Sequence, residues 1–550
     1  MSDKHRVYMR DWYFNAGITG FLRVISNDEV DIEKIKTEKK DHLLIGDNYI
    51  EFDNSVLDGF IERVTRLVFL HLFSYHYEVY KRRVKSVIDI IEKENTEQKD
   101  KNEKKVMGVS NLKANFLNGK VINAFFNEIG FNVEGIKETE ILKNTLKEIE
   151  KKLSKFNSVE VFYKEYKDGN FVPYFLSVFL EKRIVALNKF NKYIDSICRI
   201  DYKKKNANND ICLSCQERSS KGGFTLDNSI SNIIGFNTDN SNWVWGYKSG
   251  NVYLCGVCAL IYSCAVLAFI PFSKGQEQYW YYINSNSNID DLYRESQLFL
   301  RKFTDNIVEN KPFSHLIRQT IIDINNERAR KINDNINFIE IAEGGIGGQS
   351  SKSYHIFNYI ISPELARFIV SLGDKGLPKG GYAIGDDSFD ITEELIQKTI
   401  VQQIGYDDLW RYFNVNIRGN MKAYFSLYLV RAYIFKYINY FKEGGNMKTE
   451  MENISKKAYW NGEALRIKIG KENEKKINGI AYRLLNALKI ADREKFLDIY
   501  IRLMMSYDME LSFGSNKEMT DNDGFLQFGY SFLNGLLSKD MKGKEDNKNG

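Results

Sequence analysis

The chain has 550 residues, of which 43% are hydrophobic and 14% aromatic, and its formal net charge is only +5. This length is enough for about three to four domains, and the near balance of charge excludes a protein whose whole surface attracts nucleic acid. Any such binding must be local. No apolar signal core is visible and Pro271 interrupts the longest apolar run, so we expect neither a secretion signal nor a membrane span.

Shifts in composition predict an α+β protein. A large mixed N-terminal region should contain an embedded four-cysteine zinc module, and a helical bundle should form the C-terminal domain. The expected divisions are a mixed α/β region at 1–197, the zinc module at 198–272, the remainder of the mixed domain at 273–443, and the helical domain at 447–550.

In chain order, the first predicted helix lies within residues 11–25, an aromatic and glycine-punctuated stretch that becomes apolar. Residues 56–80 are apolar at helical spacing and predict a second, buried helix. Residues 94–105 are rich in Lys, Glu and Asn, which is typical of a solvated loop.

Two Cys-x-x-Cys pairs, Cys212 with Cys215 and Cys255 with Cys258, form the most specific motif. A two-residue spacer lets both thiolates of a pair reach one Zn²⁺ ion at about 2.3 Å, and four thiolates fill its tetrahedral shell. Because no position stays open for an activated water, the motif predicts a structural zinc site in a protein of the reducing cytoplasm.

Alternative roles for these cysteines stay open. An iron–sulfur cluster also uses four cysteines, and spacing alone does not exclude it. Six cysteines in 550 residues are sparse for a disulfide framework, and a thioredoxin-like pair leaves the second pair unexplained. Free core cysteines are the simplest alternative. Cys264, in the apolar run after Cys258, is expected to be a packed thiol on a buried helix.

Two segments are candidates for nucleic-acid contacts. A glycine-rich loop at 344–352 exposes backbone N–H groups that can lie against a phosphate backbone or base edges, although a plain flexible turn explains it too. Its candidate residues are Gly344, Gly345, Gly347, Gly348, Gln349, Ser350 and Lys352. A basic cluster can contact phosphates, with a solvated face as the alternative. That cluster is Lys203, Lys204 and Lys205.

The C-terminal part of the chain is helical in pattern. Residues 401–443 are aromatic at helical spacing, and a Gly-Gly linker follows at 442–446. Residues 477–507 predict two amphipathic helices, with Asp492 as the cap of the second.

A search for catalytic motifs finds none. The six histidines form no His-Asp dyad and no His-Glu-x-x-His sequence, and the chain has no nucleophile elbow, P-loop or kinase signature. We therefore expect a binding or assembly protein rather than an enzyme.

The stretch Trp12–Arg23, WYFNAGITGFLR, together with the two Cys-x-x-Cys pairs resembles the CXXC–CXXC family of CRISPR-associated proteins, the large subunit of type I-B Cascade. The resemblance covers most of the chain and includes the helices near 482–506, and it is weakest at 81–155. Within the opening motif, Asn15 and Arg23 are candidate nucleic-acid contacts.

The resemblance implies a non-catalytic subunit that works with a CRISPR guide RNA and with the backbone, repeat-processing and small subunits of Cascade. Such a subunit recognises a protospacer-adjacent motif on double-stranded target DNA, aids R-loop formation and recruits a helicase-nuclease. No membrane is involved. In such RNA-guided recognition base pairing supplies most of the sequence specificity. The alternatives from other classes are a zinc-stabilised nucleic-acid-processing enzyme and a stand-alone DNA-binding regulator.

In the family's systems a small subunit can arise by internal translation. Residues 442–446 can be encoded as a purine-rich ribosome-binding sequence just ahead of Met447, and Met451 is a second possible start. The C-terminal domain therefore resembles a small subunit, and one hypothesis is that it is also translated separately. The alternative is that residues 442–446 are only a Gly-Gly linker, whose codons can resemble a ribosome-binding sequence by chance.

Overall fold

The computed structural model describes residues 4–97, 108–117, 123, 125–127, 129–155, 159–166, 192, 195, 211–220, 224–225, 253–274, 277–306, 313–327, 335–344, 353–373, 377–385, 387–418, 424–442, 449–470, 473–511 and 521–538. The chain divides into two compact units, one from Met1–Asn310 with Asp334–Ile360 and the other from Lys311–Asn333 with Ile361–Gly550. Helices with several small sheets confirm the α+β class. The division is coarser than the four predicted segments, which stay a prediction.

The described residues of the first unit form three sheets. A three-stranded antiparallel sheet has the order β1-β3-β2, a two-stranded one pairs β4 with β5, and a four-stranded one has the order β6-β7-β8-β9. The strands are β1 (Lys4–Tyr8), β2 (Leu43–Ile45), β3 (Tyr49–Asp53), β4 (Phe224–Thr225), β5 (Tyr253–Leu254), β6 (Ile270–Lys274), β7 (Glu277–Ser285), β8 (Ile336–Gly344) and β9 (Ser353–Ile361).

The described part of the first unit also contains helices. They are α1 (Trp12–Ile25), α2 (Ile32–Glu38), α3 (Phe60–Glu97), α4 (Val109–Leu112), α5 (Thr139–Ser154), α6 (Val159–Tyr166), α7 (Gly256–Cys264) and α8 (Ile289–Asn306). Short 3₁₀ turns lie at Asn54–Leu57 and Ala265–Leu267, and a π-helical turn at Lys113–Leu117.

Local sequence explains where α1 begins. The carboxylate of Asp11 accepts hydrogen bonds from the backbone N–H groups of Tyr13 and Phe14, both at 3.0 Å, which caps the free N-terminal donors. Nearly every residue of α1 is buried, so it is a central helix of the unit. This confirms the predicted helix entered through a turn.

Helix α3 joins two hydrophobic cores of the first unit. Its N-terminal turns, including Phe60 and Val64, share the core formed with α1, α7 and β7, and its later turns pack with α5. The predicted loop at 94–105 begins too early, because α3 continues to Glu97. Lys and Glu are good helix formers, so charge alone did not mark the helix end. Residues 98–107 lie outside the described residues.

The second unit is mainly helical. Its helices are α9 (Phe313–Glu327), α10 (Pro363–Leu372), α11 (Ile391–Ile400), α12 (Tyr406–Arg418), α13 (Leu427–Lys442), α14 (Thr449–Ile469), α15 (Glu474–Lys489), α16 (Arg493–Ser506) and α17 (Asn522–Leu537). A small antiparallel sheet has the order β11-β10-β12, with β10 (Gly380–Ile384), β11 (Asp387–Asp390) and β12 (Tyr424–Phe425).

One hydrophobic core runs through the second unit, from Phe368 on α10 to Leu537 at the end of α17. The two amphipathic helices predicted at 477–507 are confirmed as α15 and α16. Asp492 caps α16, since its carboxylate accepts a hydrogen bond from the backbone N–H of Lys495 at 3.0 Å. Residues before and after the segment 443–448 therefore contribute to one core.

Among the helices of the described chain, none combines the length and the apolar character that crossing a lipid bilayer requires.

Candidate metal centre

The two Cys-x-x-Cys pairs come together in the first unit. The sulfur atoms of Cys212, Cys215, Cys255 and Cys258 all lie within 4.8 Å of one another, and the Cys215 and Cys255 sulfurs are 3.9 Å apart. Cys215 is partly buried and the other three are buried. The described cysteines form no disulfide.

A backbone turn shapes the first pair. The N–H of Gln216 donates to the carbonyl of Cys212 at 2.8 Å, and Gln216 has a φ of 54°, in the left-handed region that reverses the chain. The N–H of Arg218 then donates to the sulfur of Cys215 at 3.4 Å. Such N–H···S bonds favour the thiolate form that binds a metal.

The second pair opens a helix. Cys255 is the N-cap of α7, and its sulfur accepts a hydrogen bond from the N–H of Cys258 at 3.4 Å. The N-terminus of a helix carries partial positive charge, which stabilises an anionic group there. The predicted buried helix after Cys258 is confirmed, and Cys264 at its end is fully buried as expected.

Hydrogen bonds among the four thiols shift their pKa values in opposite directions. The bond with Cys215 opposes ionisation of Cys212, but bonds with Cys255 and Cys258 outweigh it and lower the pKa of Cys212 to about 6. Bonds with Cys212, Cys255 and Cys258 lower the pKa of Cys215. Bonds with Cys212, Cys215 and Cys255 raise the pKa of Cys258.

Two arginines lie against the sulfurs. Nη1 of Arg10 donates to the Ser214 hydroxyl at 2.7 Å and lies 3.7 Å from the Cys258 sulfur. Burial alone would lower the pKa of Arg218, but the thiols of Cys255 and its neighbours outweigh it and raise that pKa. Four thiolates around one divalent ion leave two negative charges, which two guanidinium groups can balance.

Helix α1 packs directly on α7. A methyl group at Gly17 would overlap the carbonyl of Ile261, and one at Gly20 would overlap the carbonyl of Cys264. The absence of side chains at both positions lets the two helix backbones approach closely. The opening motif therefore rests on the helix that begins at the second cysteine pair.

Tyr262 connects the same helix to the first pair. Its ring stacks on Tyr13 with centroids 5.6 Å apart and meets the ring of Phe14 edge-on at 5.0 Å. Its hydroxyl lies 3.5 Å from both the Asp11 carboxylate and the Ser214 hydroxyl. Burial raises the pKa of Tyr262, so the group is a neutral bridge between α1 and the first pair.

The donor set fits a single metal ion. Four tetrahedral ligands about 2.3 Å from one zinc lie about 3.8 Å apart, and the Cys215–Cys255 separation of 3.9 Å is close to this value. An iron–sulfur cluster distributes its cysteines over several irons, which spreads their sulfurs further. The four cysteines can therefore hold a metal ion such as zinc.

Two candidate nucleic-acid residues lie inside the first unit. The amide of Asn15 donates to Oδ1 of Asn284 on β7 at 3.0 Å and accepts from the N–H of Arg10 at 2.8 Å. Arg23 is 3% exposed, pairs with Asp28 at 2.6 Å and donates to the Leu267 carbonyl. Because both side chains are buried and satisfied by protein partners, they act in packing and offer no surface to nucleic acid.

The other candidates lie outside the described residues, except for Gly344. Gly344 ends β8, while Gly345, Gly347, Gly348, Gln349, Ser350 and Lys352 lie outside the described residues, as do Lys203, Lys204 and Lys205. The flanking strands are described. β8 and β9 are hydrogen-bonded neighbours, so the glycine-rich segment connects two adjacent strands of the four-stranded sheet.

Sequence reasoning missed Arg10, Arg218 and Tyr262 as neighbours of the cysteines. Arg218 is three residues after Cys215, and its backbone N–H donates to the Cys215 sulfur. This short separation in sequence made the contact of Arg218 with the cysteine pair predictable. Arg10 is 204 residues from Ser214, and no local pattern reports such a contact.

Comparison of the chain with protein-family models, with curated proteins and with solved structures finds no match.

Proposed function

We propose that this protein is the non-catalytic large subunit of a type I-B CRISPR Cascade complex. In this role it binds the guide-RNA complex and double-stranded target DNA, recognises the protospacer-adjacent motif, aids R-loop formation and recruits the helicase-nuclease. It acts in the cytoplasm beside the backbone, repeat-processing and small subunits.

The packing of the opening motif on the cysteine cluster supports this proposal. The resemblance depends on two sequence features separated by nearly two hundred residues, Trp12–Arg23 and the cysteine pairs. In the structure Gly17 and Gly20 lie against α7, and Arg10 bonds beside the first pair. The two sequence features that carry the resemblance therefore belong to one packed module. Their contact supports reading them together as one family motif and not as two unrelated similarities.

The metal in this proposal is structural zinc. Thiolate ligands in a tetrahedral arrangement suit zinc, and a closed four-cysteine shell leaves no place for a reacting water. Its contribution is to fix the first turn of α7 and the Cys212–Cys215 turn against α1. Module stability, and through it subunit assembly, depends on the ion.

The glycine-rich segment is the proposed motif-reading element. It joins two neighbouring strands, and a connection between paired strands can project from a rigid base toward DNA. Gln349 and Lys352 supply an amide and a cation for base edges and phosphate.

Reconstitution tests the proposal. The chain is expressed with the guide RNA and the other Cascade subunits, and we expect one copy or more to co-purify with the RNA and to confer binding to motif-bearing target DNA. The purified chain alone is expected neither to cleave nor to modify DNA. Sequence-specific binding by the chain without guide RNA would identify a stand-alone regulator, and cleavage by the chain alone would identify an enzyme.

A double variant tests the motif-reading segment separately. With Gln349→Ala and Lys352→Ala, we expect the assembled complex to keep its RNA and lose discrimination between motif-bearing and motif-free DNA. The control is Lys40→Ala, an exposed lysine of the first unit, which should leave discrimination unchanged. If the double variant discriminates as well as the native protein, the assignment of this segment is wrong.

A further inference from the structure

A groove of about 700 Å³ lies between α15 and the C-terminal end of α16 in the second unit. Residues three, four or seven positions apart share one side of a helix, and each helix lines the groove with such a set. These side chains are Lys476, Ile480 and Arg483 from α15, and Leu503, Ser506 and Tyr507 from the end of α16. Binding clefts commonly have volumes of about 300–1,000 Å³, so the groove is large enough to hold a ligand.

Two exposed cations flank the groove without an acidic partner in the described part of the chain. Lys476 and Arg483 are exposed, and neither forms an ion pair with another described residue. Glu474, at the start of α15, lies 3.9 Å from Arg466 instead. No acidic side chain of the described chain lines the groove, so its local charge attracts an anionic ligand.

The surface between the two cations is apolar and open. Ile480 is buried and Leu503 is partly buried, which makes an aliphatic floor. Gly479, beside Ile480, also lines the groove, and a methyl group there would meet no atom within 4 Å. Another chain can therefore approach α15 closely at this position. The floor and the cations together suit a ligand that is apolar in the middle and anionic at both ends.

We propose that this groove binds an amphipathic helix of a partner protein that carries two acidic residues seven positions apart. Lys476 and Arg483 are themselves seven positions apart, which is about 10.5 Å along α15. On a helix laid along α15, carboxylates at the same spacing reach both cations. Apolar residues three and four positions after the first carboxylate share its face and cover Ile480 and Leu503, as in other complexes of a helix with an apolar groove.

The floor favours a protein over a nucleic acid as the ligand. Nucleic-acid contacts of proteins are polar and strongly basic, whereas here Ile480 and Leu503 separate two cations. Bases stack on open ring faces, but the ring of Tyr507 is partly buried and has Nζ of Lys476 over it, 5.4 Å from its centre. The proposal is independent of the guide-RNA function.

A photocrosslinker in the groove tests the proposal in the full chain. With p-benzoylphenylalanine in place of exposed Ser506, irradiation in host cells should yield a protein adduct. The crosslinked segment should contain two acidic residues seven positions apart with apolar residues between them. The same crosslinker at exposed Ile490, outside the groove, should not capture that segment. No adduct, an adduct with nucleic acid or with a second copy of this chain, or a segment without this pattern would overturn the proposal.

Reversal of the two charges tests the cations. Lys476→Glu combined with Arg483→Glu should reduce the adduct yield at least about tenfold, because two attractions for the partner's carboxylates become repulsions. Lys457→Glu combined with Lys475→Glu is the matched control, since it makes the same change in net charge at exposed lysines outside the groove. The control should keep the native yield. Equal yields from the two double variants would contradict a role for the groove cations.

Gly479→Leu separates binding from folding. The new side chain enters the open space of the groove, and leucine forms helices better than glycine. The melting temperature of the purified chain should therefore stay unchanged or rise, while the adduct yield falls at least about tenfold because the groove is filled. A native adduct yield, or a clear fall in melting temperature, would show that the groove does not receive a ligand over Gly479 and would overturn the proposal.

Discussion

The protonation of His71 follows from its neighbours. Nη1 of Arg23 lies 3.3 Å from Nδ1 of His71, and the Phe269 carbonyl lies 2.6 Å from Nε2. An arginine can only donate and a carbonyl can only accept, so Nε2 carries the proton and Nδ1 accepts. A second proton on Nδ1 would face the guanidinium. Burial and the Arg23 charge accordingly lower the pKa of His71 to about 3 from an ordinary 6.5.

This depressed pKa predicts an acid-sensitive first unit. Below pH 6.5 the unfolded chain takes up a proton at His71 that the folded chain refuses, so the free energy of unfolding falls as the pH drops from about 6.5 toward 3. The loss is at most about 1.4 kcal/mol per pH unit. Urea unfolding of the native protein and His71→Gln between pH 7 and 4 measures it.

Glutamine is the matched control, because its amide can donate to the Phe269 carbonyl and accept from Arg23 without titrating. His71→Gln should therefore show a shallower pH dependence than the native protein over this window. Parallel pH profiles for the two proteins would show that His71 titrates normally in the folded state.

At the scale of elements, the contact between α1 and α7 holds the four-cysteine module together. Two short-range features position the helices, the Asp11 cap of α1 and the Cys255 cap of α7. The glycines then allow a backbone-to-backbone approach that a side chain would prevent. The cysteine geometry is thereby coupled to a helix that supplies none of the ligands.

Gly20→Ala is expected to disrupt this contact. The added methyl group would overlap the Cys264 carbonyl, and overpacking of a close contact typically costs about 1–3 kcal/mol. The free energy of unfolding of the first unit should fall by that amount, and the purified protein should contain less metal. Denaturant unfolding and metal analysis by mass spectrometry give both values.

Gly479→Ala is the control. Gly479 also lies within a helix, α15, but a methyl group there meets no atom within 4 Å. Alanine is the better helix former, so this variant should be as stable as the native protein or more stable by about 0.5–1 kcal/mol. Equal losses in the two variants would contradict a role for close packing at Gly20.

The elements that sequence predicted correctly are those set by local pattern. The cap at Asp492 and the apolar helix after Cys258 follow from neighbouring residues. The cluster of four cysteines was predictable because a two-residue spacer is typical of cysteine pairs that can bind one metal ion. The burial of Asn15 and Arg23, two candidate nucleic-acid contacts, was not predictable, because polar residues in a motif do not reveal whether protein partners bury them.

At the scale of the whole molecule, the cysteine cluster joins segments far apart in sequence. Cys212 and Cys258 belong to different parts of the chain, and Arg10 and Tyr262 attach both to α1. The second unit has its own hydrophobic core from Phe368 to Leu537. A metal bound only in the folded state stabilises the unit that binds it.

Metal removal should therefore loosen one unit and spare the other. After chelation, we expect amide hydrogen exchange to accelerate at least about tenfold in peptides from α1 and α7, because their contact loses the restraint of the metal-bound cysteines. Peptides from α15, α16 and α17 should exchange as before. Cys212→Ser should reproduce the chelated pattern without chelator, and Cys264→Ala, which removes a buried thiol outside the cluster, should retain the metal. Unchanged exchange in α1 after complete metal loss would mean that the packing of Gly17 and Gly20 on α7 suffices to hold the module, and that the cysteines do not stabilise it.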